Sequence, residues 1–115
     1  MSVEKAKAHY MGKDGYKRLN CGQSVISAFK EKFSLSEEMV GNFAKYGGGR
    51  APDGVCGALF AAKTILSASK PEKVLECESH LLTLAGALKC RDIRSSGKLS
   101  CLGCVEKVSE ILENI

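Results

Sequence analysis

Apolar residues recur at three- and four-residue steps along most of the chain, the period of helices that bury one face. In residues 20–33, Asn20 and Gln23 form a capping-box-like pair, and Cys21, Val25, Ala28, Phe29 and Phe33 follow as one stripe. Ser34 and Glu37 give a second capping signature for a helix to about residue 46 carrying Met39, Val40 and Phe43. Residues 54–68 are apolar nearly all round, which predicts a central helix, with Asp53 as its N-cap. Pro71 opens a helix expected to reach Lys89, with Val74, Leu75, Leu81, Leu82, Leu84, Ala85 and Leu88 as its apolar positions. A last helix is capped by Ser100 and striped by Cys101, Cys104, Val105, Val108, Ile111, Leu112 and Ile115. With residues 2–11 as a first helix, the pattern predicts an all-α, single-domain bundle of about five or six helices spanning residues 1–115. Two breaks interrupt it: a glycine-rich loop over residues 46–54, and a polar, exposed segment over residues 94–98.

Composition supports this reading. A chain of 115 residues is about one domain long, 44% of it is hydrophobic, and aromatic residues make up only 6%, so the core is built from aliphatic side chains. The net charge is +4, but Lys and Arg alternate with Glu and Asp, and no dense basic run points to nucleic acid. No segment approaches the ~18 apolar residues of a membrane span, and the first residues lack the apolar run of a signal peptide. A cytoplasmic setting is expected. There, six cysteines read as metal-binding or reactive thiols rather than as a disulfide framework.

On this helical map Cys21 and Cys101 take the first position of their helices and Cys56 about the third. A helix N-terminus carries unpaired N–H groups and about half a positive charge, which favours the thiolate that attacks disulfides or ligates metals. Cys90 is expected near a helix C-terminus, where the dipole opposes ionisation while Lys89, Arg91 and Arg94 favour it. Cys77, between Glu76 and Glu78, reads as core filling. Cys101-Leu102-Gly103-Cys104 is a C-x-x-C at a helix start, a spacing that allows a dithiol or a shared metal. His9 and His80 have no partner at ligand spacing, and glycines 47–49 lack the residues of a nucleotide loop.

These residues resemble the C_GCAxxG_C_C proteins, small bacterial and archaeal proteins with four characteristic cysteines. Gly15-Tyr16 leading to Asn20-Cys21-Gly22-Gln23-Ser24-Val25 is similar to the family's Gly-Tyr-Asn-Cys-Ala-Gln-Ala-Val, with Lys17-Arg18-Leu19 interposed. Cys56-Gly57-Ala58-Leu59-Phe60-Ala61 resembles its Cys-Gly-Ala-x-x-Gly, and Cys90 and Cys101 match the two later cysteines. Ala61 replaces a glycine, which predicts slightly wider packing behind the motif, and Cys77 and Cys104 are additional. The resemblance implies a redox role and names no substrate.

Three readings follow. The first is a thiol-based redox or electron-transfer protein, a thiol–disulfide oxidoreductase or an accessory to one. In it Cys56 is the reactive thiolate, Cys21 its partner, and Cys101 with Cys104 a second dithiol or a resolving pair. It requires a redox partner protein. The second is a metal-binding module in which Cys21, Cys56, Cys90 and Cys101 hold an iron–sulfur cluster or zinc. The third is a structural helical subunit with inert thiols. Small size and an apolar last helix are compatible with a homodimer.

Overall fold

The computed structural model describes residues 2–47 and 49–115; Gly48, the middle glycine of the expected loop, lies outside them. The described residues contain no β-strand and form seven α-helices: α1 (Ser2–Met11), α2 (Cys21–Ala28), α3 (Glu37–Asn42), α4 (Gly57–Ser69), α5 (Val74–Ala85), α6 (Cys90–Ser96) and α7 (Cys101–Glu113). The bundle is therefore all-α as expected, with one helix more than the pattern predicts.

That extra helix is α6, and glycine explains it. Gly86 takes a left-handed φ of 79° and its N–H donates to the Leu82 carbonyl, ending α5 at Ala85 rather than at Lys89. The chain then runs extended through Lys89 and restarts at Cys90, until Gly97 (φ 68°) closes α6. Cys90 thus begins a helix, where a C-terminal place was expected. The segment around Arg94, expected as a polar loop, is this helix and its cap.

Three smaller corrections concern caps. Ser36, not Ser34, accepts the amide of Met39 to start α3; Ser34 sits at φ 55° in a turn. Asp53 lies at φ 61° in a single 3-10 turn (Pro52–Gly54), so the residue before α4 is Cys56 rather than Asp53. Pro71–Lys73 is a 3-10 turn that leads into α5.

The core gathers around α4, whose Ala58, Leu59, Ala61, Ala62 and Leu66 are wholly buried. Helix α2 crosses it with Val25, Ile26 and Phe29, α7 adds Val105, Val108 and Leu112, and α1 rests on both α2 and α7. Helix α5 closes the bundle with Cys77, Leu81 and Ala85. Leu75, Leu82 and Leu84 lie on its outer side, Leu75 being 74% exposed, so these leucines do not join the apolar face expected of them.

Candidate functional site: helix starts converging on sulfur

Four helices begin at cysteines: Cys21, Cys90 and Cys101 are the first residues of α2, α6 and α7, and Cys56 is the N-cap of α4. The sequence dictates these starts locally. Asn20 caps α2 by accepting from the Gln23 amide at 2.8 Å, while the Gln23 side chain accepts from the Asn20 amide at 3.2 Å. Asn20 Nδ2 also donates to the carbonyls of Phe43 and Ala44, each at 3.1 Å, pinning the start of α2 to the 3-10 turn after α3. The Ser100 hydroxyl accepts from the Gly103 amide at 2.9 Å to start α7. Val55 and Lys89 form an antiparallel bridge, and the Cys56 amide donates to the Leu88 carbonyl at 2.8 Å, which holds the approaches to α4 and α6 side by side.

Glycines let α2 and α4 meet. A Cβ on Gly57 would fall 2.7 Å from Cys21 Sγ and 2.8 Å from the Tyr46 carbonyl oxygen, and one on Gly22 would lie 3.1 Å from the Gly57 carbonyl oxygen. The Cys21 sulfur therefore rests directly on the first turn of α4. The amides of Gly22 and Ala58 favour the Cys21 thiolate, and those of Leu59 and Ala58 favour that of Cys56, so both sulfurs lie at the amide end of α4.

Cys104, one helical turn into α7 and 1% exposed, is a buried neighbour of Cys56. Cys101 instead opens into a recess that the Tyr10 phenol and the Arg94 guanidinium also line. Tyr10, Arg18, Leu19, Asn20, Cys21, Cys90, Arg94 and Cys101 line this open recess of about 370 Å³. The C-x-x-C thus divides its sulfurs, one facing a recess and one facing a buried partner.

Burial outweighs the helix ends in setting the thiol acidities. It pushes the Cys21 thiol up to about 11, assisted by the neighbouring Cys56 and against the two amides. Cys56 is raised well above the ordinary thiol range, first by Cys104 and then by burial. Cys56 in turn lowers Cys104 against the cost of burial. In Cys90, burial raises the thiol and Arg94 opposes it. The expected thiolate stabilisation is therefore overridden by desolvation at Cys21 and by Cys104 together with burial at Cys56, and the depressed thiol is Cys104.

Among the described residues no group of three or more His, Cys, Asp or Glu side chains is arranged to hold a metal ion. Cys21, Cys56, Cys90 and Cys101 share a neighbourhood without forming a ready ligand set. His9 ties α1 to its surroundings through the Lys17 carbonyl and the Ser27 hydroxyl, and His80 is exposed. Cys77 is buried in the first turn of α5, and burial pushes its thiol up to about 11. Sequence reasoning named every cysteine of the site but missed Tyr10, Arg18 and the Ala58 amide. Arg94 was visible only as a neighbour of Cys90. No described helix is long and apolar enough to cross a membrane.

No curated protein and no solved structure matches the chain. Residues 19–115 match the family described as "Putative redox-active protein (C_GCAxxG_C_C)", a span that takes in every cysteine start described above. With that match over most of its length, the chain belongs to the C_GCAxxG_C_C family of redox-active proteins.

Proposed function

We propose that the chain is a thiol–disulfide redox protein in which Cys56 is the central sulfur, able to pair with Cys21 on one side and with Cys104 on the other. The single observation that carries this is the Cys21 sulfur resting on the start of α4, 2.7 Å from where a Cβ on Gly57, the residue after Cys56, would stand. The two thiols therefore meet at one helix crossing that only glycine permits. Oxidation of the pair removes two electrons and two protons and leaves a disulfide. Attack of the Cys104 thiolate on the Cys56 sulfur of that disulfide forms a Cys56–Cys104 disulfide and expels Cys21 as a thiolate, which takes a proton from water.

Burial disfavours the thiolate and so stabilises the reduced state less, which lowers the reduction potential. A reducing potential is expected, below about −250 mV, toward the thioredoxin end of the range for dithiol proteins. Such a poise suits a cytoplasmic protein that exchanges electrons with a redox partner. The four-cysteine metal reading lacks a ready ligand set, and a visible spectrum and metal analysis of protein purified without oxygen would test it directly.

Stoichiometric oxidation with diamide, followed by alkylation and peptide mapping, tests the proposal. A disulfide joining Cys56 to Cys21 or to Cys104 is expected, together with loss of reversible oxidation in Cys56→Ser. Six free thiols after oxidation, or no disulfide at Cys56, would overturn it.

A further inference from the structure

We propose that the recess beside Cys101 binds low-molecular-weight disulfides bearing carboxylates, and that Cys101 is the thiol that attacks them. This rests on the redox reading above and adds the substrate class. The recess carries two guanidiniums, Arg18 and Arg94, and no carboxylate lines it. Neither arginine takes part in an ion pair among the described residues, whereas lysines elsewhere pair across the bundle, as in Lys7 with Glu106 and Lys63 with Glu78. Three thiols, Cys21, Cys90 and Cys101, open into the same space. Beyond Cys90 a second recess of about 710 Å³ adds Lys89 and Arg91, with Asp53 as its one acidic side chain. Positive charge is thus gathered around sulfur. A cavity of about 370 Å³ is the size of a small ligand rather than of a folded domain.

The chemistry balances without a further reagent. The Cys101 thiolate attacks one sulfur of R–S–S–R; the Cys101–S–S–R bond forms, the substrate S–S bond breaks, and R–S⁻ leaves with the electron pair, to be protonated by water. Cys21 then loses its proton to solvent, attacks the Cys101 sulfur and expels the second R–S⁻. The substrate gains two electrons and becomes two thiols, and the protein gains one Cys21–Cys101 disulfide. Arg94 and Tyr10 line the recess beside the attacking sulfur, and Arg18 with Arg94 receives the carboxylates.

Three disulfides of similar size test this: 3,3′-dithiodipropionate (dianionic), 2-hydroxyethyl disulfide (neutral) and cystamine (dicationic). Each rate with the reduced protein at low salt is divided by its rate with free cysteine. The dianion is expected to lead the dication by about tenfold, with the gap closing at about 0.5 M salt, where charges are screened within a few ångström. Arg18→Gln is expected to lower the dianion-to-neutral ratio, and mass mapping of the trapped adduct to find it on Cys101. Equal normalised rates, an unchanged ratio in Arg18→Gln, an adduct on another cysteine, or no reaction with the folded protein would each overturn the inference. Diamide mapping separates the two claims: a Cys56 disulfide without any charge preference removes the substrate class alone, and a charge preference without a Cys56 disulfide removes the central role of Cys56 alone.

Discussion

Cys56 and Cys77 are both sealed from solvent, 6% and 0% exposed, yet their surroundings assign them opposite roles. Cys77, the fourth residue of α5, is packed within the hydrophobic core and has no residue of the recess beside it, so its sulfur serves as a small apolar side chain. Cys56 stands at a helix start, with amides of the first turn favouring its thiolate and two further sulfurs beside it. Burial therefore does not separate a structural thiol from a reactive one. The neighbours decide.

The comparison breaks most severely if Gly57 acquires a side chain. Gly57→Ala places a methyl group 2.7 Å from Cys21 Sγ and against a carbonyl oxygen, neither of which has room to retreat. A loss of about 3 kcal/mol in urea unfolding is expected, and the yield of any Cys21–Cys56 disulfide should fall with it; wild-type stability and disulfide yield in this variant would refute the close crossing.

Alkaline pH should come next in size. Cys21 and Cys77 each move from an ordinary 9.0 to about 11 on folding, so the folded state holds their protons more tightly than the unfolded chain does. Their contribution to stability is complete below pH 9 and is lost as pH climbs toward 11, on the order of 2 kcal/mol for each thiol. Denaturation midpoints at pH 8 and pH 10.5 read this directly, and equal midpoints would contradict the desolvation described here.

The smallest effect is expected at Cys77 itself. Cys77→Ala should cost about 1 kcal/mol through the small cavity it leaves, with the diamide-induced disulfide of Cys56 formed as in the wild type. A changed disulfide pattern in this variant would place Cys77 among the working thiols.

Much of the frame was legible in the sequence because its signals are local. Asn20 with Gln23 and Ser100 with Gly103 start their helices by bonds spanning three residues, and the apolar stripes of α2 and α7 bury as their spacing requires. Helix α6 was illegible for an equally local reason, read the wrong way: Gly86 lies within a run of apolar residues that seemed to continue α5, and its left-handed φ appears only once the chain folds back. Cys90 moved from a helix end to a helix start through that one residue. The acidities were illegible because they are tertiary quantities. A helix start can be read from capping residues, but the hydrocarbon that desolvates Cys21 comes from elements far along the chain. Tyr10 gave no signal at all, since nothing near it in sequence hints at a place beside Cys101.

The site draws on α1 through Tyr10, on α4 through Cys56 and on α7 through Cys101 and Cys104, while the Cys56 amide is anchored to the carbonyl of Leu88. A ribosome delivers these pieces in order, and Cys21 and Cys56 emerge well before the helix that covers them. A nascent polypeptide released upstream of Ser100 therefore lacks both the recess thiol Cys101 and the buried neighbour Cys104, and carries its first two sulfurs uncovered.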